Sequence, residues 1–261
     1  MIREEFYPKY LNAPQHQLYI NGESLPYKFK LESSGDISVR SKTEKRAYSH
    51  GSTLTGDGYI DGKTIKLTFH ISGTNQDDYN AKVNDLYAKL YAADYKLSVG
   101  NETYWNVAGL SKITSKFIEG YQFMKADVTV SLLLSDPFRY GSLHEELIDV
   151  DVPAKELEFK INNIGSVMTP LVFTFIPSVT MNDITVKHVE AGKSMRIADT
   201  LLTNPATLTV DTKAGTVRRD TYNAINFFSG QFLTAEAGEN TYKLTCAAGK
   251  VKINWIDRWL A

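Results

Sequence analysis

Beyond about Ser142 the chain never again shows a helical period, and this narrows its choice of fold more than any other feature. Short apolar and β-branched runs follow one another instead: Leu157–Ile161, Leu171–Ile176, Ile184–Val189, Ser194–Ile197, Thr207–Val210, Thr216–Arg219, Ile225–Phe228, Tyr242–Cys246 and Val251–Trp255. Gly, Pro and Asn separate them. Short strands at regular spacing with turn residues between them predict a two-sheet β-sandwich. Leu171-Val-Phe-Thr-Phe-Ile176 is apolar on both faces and is expected to be a central strand. Tyr242, Leu244 and Cys246 alternate with Lys243 and Thr245, after which Ala248-Gly249-Lys250 turns the chain back into Val251, Ile253 and Trp255.

The first half has a different texture. Leu18-Tyr-Ile20, Asn21-Gly22 and Tyr27-Lys-Phe-Lys-Leu31 read as a hairpin, because Asn-Gly tolerates the positive φ of a tight turn. In Lys63–Ile71 the residues Ile65, Leu67, Phe69 and Ile71 share one face and Lys66, Thr68 and His70 the other, which predicts a half-buried strand. Gly51, Gly56, Gly58 and Gly62 with Asp61 predict turns around the short segment Tyr59-Ile60. A phosphate cradle does not fit these glycines, since no Gly-Lys-Ser/Thr step follows and the next element is a strand. From about Gln76 to Ala93, Val83, Leu86, Tyr87, Leu90 and Tyr91 fall at helical spacing and Asp77-Asp78 stand at the positive N-terminal end, predicting a helix over about 76–93. Strands are expected at Tyr95–Val99, Trp105–Val107, Ser111–Phe117 and Met124–Leu134, until Asp136-Pro137 ends the ladder. A short acidic connection, Glu145 through Asp151, is then expected to lead into the second half. Two domains follow, 1–140 and 141–261: a β-rich N-terminal domain with one helix, and an all-β sandwich.

The 261 residues suffice for two modest cores. Charge is nearly balanced, with 17 basic against 16 acidic residues up to Tyr140 and 12 against 14 after it, so no basic footprint for nucleic acid exists. The closest approach to one, Arg40, Lys42, Lys45 and Arg46, is interrupted by Glu44 and reads as a solvated loop. The single cysteine, Cys246, excludes an intramolecular disulfide and a multi-cysteine metal site. No run approaches the roughly 20 apolar residues of a membrane span, and Met1–Asn12 has no secretory pattern, so synthesis in a cytoplasm without membrane insertion is expected.

The search for chemistry yields no constellation. His16, His50, His70, His144 and His188 are scattered, without the paired spacing a metal needs. Cys246 shares the apolar face of Leu244 and reads as core. Asp199, Asp211, Glu236 and Glu239 are candidates for a sugar-hydrolase acid pair by residue type alone. Asp211 ends a strand in Asp-Thr-Lys-Ala-Gly, and Gly238-Glu239-Asn240 precedes one, so turn roles are expected there. Trp105, Trp255 and Trp259 have the rings to stack on sugars, but in a sandwich such rings mostly fill the space between sheets. No catalytic, cofactor-binding or metal-ligating residue is assigned.

Several of these residues stand in a recognisable order. Asn163, Gly165 and Pro170 open the second half; Leu208-Thr-Val-Asp211 and Gly215-Thr-Val217 follow, then Phe232-Leu233 and Gly238-Glu-Asn240 before the final hairpin. Ahead of them come Asn21-Gly22, the glycine-rich approach to Tyr59, the strand to Ile71, the helix and Ser135-Asp136-Pro137-Phe138. In this pattern the chain resembles the distal tail (Dit) family of long-tailed, siphovirus-type bacteriophages. The resemblance implies a structural tail-tip or baseplate component of a phage or prophage virion, not an enzyme, made in the host bacterial cytoplasm. It further implies an N-terminal split β-barrel or sandwich with one helix that forms a homohexameric ring, and a galectin-like or carbohydrate-binding-module-like C-terminal sandwich. The partners implied are the major tail-tube protein, the tail-associated lysin or hub, and receptor-binding proteins or side fibres, with no cofactor. Two readings from other classes stay open: a host-adhesion protein gripping glycans through the second sandwich, and a glycan hydrolase.

Overall fold

The computed structural model describes residues 17–45, 50, 52–100, 102–121, 123–134, 136–150 and 154–260. The chain divides into two compact units, Met1–Arg139 with Leu260–Ala261, and Tyr140–Trp259. It is mainly β throughout, as the alternation of apolar residues implied.

The first unit is built from β1 (Leu18–Ile20), β2 (Glu23–Ser24), β3 (Lys28–Ser33), β4 (Val39–Lys45), β5 (Ser52–Ile60) and β6 (Lys63–Ser72), then helix α1 (Gln76–Tyr91), then β7 (Tyr95–Val99), β8 (Tyr104–Val107), β9 (Gly109–Phe117) and β10 (Lys125–Leu134). One antiparallel sheet runs β3-β6-β10-β9, another β8-β7-β1-β2, and β4 with β5 forms a separate ribbon. Ile65, Leu67, Phe69 and Ile71 of β6 and Val128, Val130, Leu132 and Leu134 of β10 are buried beside Leu18, Leu97 and Trp105 of the other sheet, so the two sheets and the helix share one core. Pairing in register brings Val128 opposite Phe69 and Leu132 opposite Ile65, the cross-strand apolar contacts that fix a sheet.

Asn75 caps α1: its side chain accepts the Asp78 amide at 2.8 Å, and the Asp78 carboxylate accepts the Thr74 amide at 2.8 Å. That reciprocal arrangement satisfies two amide donors that a helix start otherwise leaves open, with acidic Asp77 and Asp78 facing the positive end of the dipole. The Thr74 amide, followed by Lys82, holds the Asp78 carboxyl below its usual range. Asn75→Ala is therefore expected to destabilise the unit by about 1 kcal/mol, measured as a shift of the urea midpoint at constant m-value. The helix buries Tyr79, Leu86 and Leu90, with Val83 and Tyr87 packed at the margin. Tyr91 is a correction: it is 81% exposed, because the helix ends at that residue.

Three further expectations for this unit are overturned. The Asn21-Gly22 turn exists, with Asn21 and Gly22 both at positive φ, but its return strand is β2 and not Tyr27–Leu31. Pro26 offers no amide to a continuing ladder, and β3 leaves to pair with β6 in the other sheet. The glycine-rich stretch is turn chemistry only in part: Asp61 and Gly62 stand between β5 and β6, but Gly56 and Gly58 lie inside the nine-residue strand β5, whose partner β4 contains Arg40, Lys42 and Lys45, and Gly51 lies outside the described residues. Backbone pairing needs no side chain, so the absent side chains weaken that ribbon without preventing it. The basic run is thus strand and not loop, and Arg40 pairs with Asp61 at 2.6 Å; Arg46 lies outside the described residues.

The second unit contains β11 (Arg139–Val150, from Tyr140 onward), β12 (Ala154–Asn163), β13 (Thr169–Pro177), β14 (Ile184–His188), β15 (Lys193–Ile197), β16 (Leu208–Asp211), β17 (Thr216–Arg219), β18 (Tyr222–Asn223), β19 (Phe228–Gly230), β20 (Thr234–Ala235), β21 (Gly238–Cys246) and β22 (Gly249–Trp259). One sheet orders them β18-β17-β16-β13-β22-β11, with β20 also on β13; the other is β12-β21-β14-β15-β19. Leu171, Phe173 and Phe175 of β13 meet Val186, Tyr242 and Leu244 from the opposite sheet in one apolar core, which makes the unit a sandwich. β13 lies between β16 and β22, the central place its two-sided apolar sequence implied.

Two segments depart from the sequence reading. Glu145 to Val150 is not a connection but the second half of β11; the Lys252 amine stands 2.6 Å from Glu145 and Lys250 3.5 Å from Asp149, so the acids of the strand face lysines on β22. Asp151 lies outside the described residues. Ile225–Phe227 is a 3-10 turn, with only Phe228 entering a strand, because the Asn223 side chain accepts the Ile225 amide and the Ala224 carbonyl accepts that of Phe227.

Candidate functional site

The four candidate acids are held apart by their own partners. Asp211 closes a turn in which its Oδ1 accepts the amides of Lys213 and Ala214, each at 2.9 Å. Asp199 is buried, and Arg219 Nη1 lies 2.6 Å from both its oxygens. Glu239 is exposed and paired with Lys160 at 2.8 Å. Glu236 contributes backbone, its amide donating to Asn240 Oδ1 and its carbonyl accepting from Asn240 Nδ2. The buried Asn240 side chain thus forms the turn that Gly238, at φ +96°, makes possible. Asp211→Ala is expected to cost about 0.5–2 kcal/mol of stability through the lost turn bonds, seen as a lower Tm.

Cys246 is buried in the sandwich core, and burial alone pushes its thiol up to about 11, the opposite of an activated nucleophile. His70 stands 2.5 Å from Asp127 across the β6–β10 pair. His188 is buried with its ring stacked 4.6 Å from Tyr242, whose other face meets Phe159 at 5.3 Å. The three rings are opposite one another in register across β12, β21 and β14. Among the described residues no group of three His, Cys, Asp or Glu side chains could hold a metal ion. His16 lies outside them.

One arrangement has no signal in the sequence. His144 Nε2 and Asp257 Oδ2 are 2.6 Å apart, the Ile164 amide donates to the other Asp257 oxygen, and the His144 ring stacks 5.2 Å from Trp255. The partners are 113 residues apart, on β11 and β22, and no spacing rule links them. The pair pins β11 and the loop at Ile164 to β22. Nearby, a groove of about 170 Å³ is lined by Leu143, Pro170, Val172, Trp255 and Ile256, with Asp211 and Lys213 also on its wall. Asp211 is the single carboxylate among its lining residues, so two acids do not converge there.

Of the three Trp residues, Trp105 is 3% and Trp255 9% exposed, and Trp259 is half-buried with its ring over Gly141. Gly165 is sterically required: a Cβ would lie 2.3 Å from the Arg258 carbonyl oxygen and 2.6 Å from the Arg258 amide nitrogen. Asn163 beside it is fully buried; its amide group donates to the carbonyls of Val167, Ala235 and Glu236 while its Oδ1 accepts the Gly165 amide. The Asn-x-Gly step is therefore an architectural joint between β12, β13 and the turn before β21.

No curated protein matches the chain. Residues 164–259, from within that joint to the last strand, match the family model described as "Siphovirus-type tail component, C-terminal domain". Among solved structures the chain is similar to SPP1 Dit (gp 19.1), described as a paradigm of hub adsorption apparatus in Gram-positive infecting phages. That likeness has a TM-score of 0.68 at 14% identity and covers 93% of this chain and 98% of the other. Residues 164–259 of the second unit thus match the siphovirus-type tail component family, and the chain as a whole has the fold of Dit.

Proposed function

We propose that this protein is the distal tail protein of a long-tailed phage or prophage. Six copies form a ring through their first units, joining the major tail-tube protein on one side to the tail-associated lysin or hub on the other. The second units hold receptor-binding proteins or fibres. The observation that carries this reading is the family match of the second sandwich within a fold similar to Dit over nearly the whole chain.

Features of the first unit support it. The sheet β3-β6-β10-β9 ends in two different edge strands, β3 and β9, and unlike edges suit the head-to-tail contacts that close into rings. At the tip of the β9–β10 hairpin Phe117, Ile118, Tyr121 and Phe123 are all exposed, Phe123 to 63%. Its backbone holds a positive φ of 65°, a conformation unfavourable for an aromatic residue. The role needs no hydrolytic chemistry. The sugar-binding alternative calls for bare aromatic platforms on the second unit, where Trp255 is interior and Tyr222 is 55% exposed.

Light scattering after gel filtration tests the ring. The expected mass at high concentration is six times the 29.3 kDa protomer, with hollow rings in negative-stain images. Phe123→Asp is expected to lower that mass while leaving the Tm unchanged. A strict monomer at every concentration would overturn the assembly.

A further inference from the structure

Pairing of β3, β6, β10 and β9 gathers lysines that are scattered along the chain. The face of this sheet turned away from the core carries Lys28 and Lys30 of β3, Lys66 of β6, Lys125 of β10, and Lys112 and Lys116 of β9. The alternate residues of the same strands, among them Phe29, Leu67, Phe69, Val128 and Ile113, face the core. Five of the six lysines are exposed, and Lys125 is half-buried with its amine 3.8 Å from the centre of the Tyr121 ring. The acids of the four strands are Glu32 and Asp127, and each already has a basic neighbour: Glu32 stands 3.1 Å from Lys30, and Asp127 2.5 Å from His70.

Composition does not account for this clustering. Up to Tyr140 basic and acidic residues number 17 and 16, yet on this one surface six lysines meet two acids. Lys66 and Lys112 flank Ser131 from the strands on either side of it, which sets them about 10 Å apart at ordinary strand spacing, close to a Debye length. Like charges at that range repel, and a face with no task beyond solubility mixes its signs. Lysine on an edge strand also discourages stray pairing, but Lys66 and Lys125 stand on the two inner strands, which have no free edge to protect. Two copies of the face repel each other, so it is not the seat of a two-fold dimer. The four strands hold no arginine, whose planar fork grips phosphate with two bonds at once; lysine offers single point charges, which suit carboxylates spread over a protein surface.

We propose that this face docks a protein partner through an acidic surface of that partner. The inference does not rest on the tail role and is compatible with it: ring contacts through the edges of β3 and β9 lie in the plane of the sheet, and the lysines stand perpendicular to that plane. Charge complementarity of this kind speeds encounter and fixes orientation, and it makes binding depend on salt.

The test is fluorescence anisotropy of the full chain with three rhodamine-labelled probes: a peptide alternating glutamate with serine, its glutamine counterpart, and an oligothymidylate of the same charge. At low ionic strength the glutamate peptide is expected to bind saturably and the glutamine peptide not at all. The affinity should fall by about tenfold or more as sodium chloride approaches physiological strength. Lys66→Thr combined with Lys112→Thr and Lys116→Thr should weaken binding by about tenfold or more without lowering the Tm, because these exposed lysines repel one another. The same three positions changed to Arg should bind as the parent does. Lys187→Thr with Lys193→Thr, at exposed positions of the second unit, is the control and should also bind as the parent does. Absence of binding by the glutamate peptide, equal binding of the glutamine peptide, or a threonine variant that loses no more than the control would overturn the assignment. Tighter binding of the oligothymidylate would make the face a nucleic-acid surface and overturn the choice of partner.

Discussion

Phe173→Ala will destabilise the second unit by about 3–5 kcal/mol, read as a fall in the urea midpoint with the m-value unchanged. Phe173 is fully buried at the middle of β13, opposite Val210 on one side and Ile253 on the other, with Phe175 stacked 6.2 Å away. Strands flank it on both sides and a second sheet covers it, so the surroundings cannot collapse into the space the ring leaves. Phe159 supplies the control. It packs at the margin of the same core on β12, an edge strand, where neighbours can close over a truncated side chain. Phe159→Ala should cost clearly less, within about 1–3 kcal/mol. Equal losses at the two positions would mean that β13 is not the centre of the sandwich. A loss at Phe173 that spares the second unit and melts the first would contradict separate cores.

The same contrast shows what the sequence could disclose. β6, β10 and β13 were legible because burial of one or both faces forces a period-two or continuous apolar pattern, and α1 because its apolar stripe and acidic start agree. β4 and β5 were not, since their sequences carry no apolar alternation to read and the glycines of β5 mimic turns. The second half of β11 was hidden by acids whose partners, Lys250 and Lys252, lie a hundred residues away. Candidate sites suffered more. His144 with Asp257 is made by topology alone; each residue by itself reads as an ordinary strand position. The reverse also holds. Asp199, Asp211 and Glu239 looked like chemistry by residue type and proved to be engaged in an ion pair, a turn and a surface bridge.

Asp199 gives the second large effect. Its carboxylate is 1% exposed; it accepts from Arg219 Nη1 with both oxygens at 2.6 Å and from the Leu201 amide at 3.0 Å. Arg219 is itself largely buried, 5.3 Å from the Tyr222 ring. Removing the acid leaves a guanidinium uncompensated inside the second unit, so Asp199→Ala is expected to cost about 3–5 kcal/mol. The pair itself is a different quantity from the penalty of breaking it: both charges give up water to meet, and that cost offsets most of their attraction. The double variant Asp199→Leu with Arg219→Leu should therefore recover most of the loss and be clearly more stable than Asp199→Ala. Urea unfolding of the four-member cycle, with Asp199→Leu and Arg219→Leu as its two single variants, measures the coupling directly. A double variant as unstable as Asp199→Ala would mean that the pair contributes net stability, or that the Leu201 turn depends on the Asp199 carboxylate more than Arg219 does. Asp199→Asn separates these two, because the amide oxygen still accepts from Leu201 but the charge that answers Arg219 is gone.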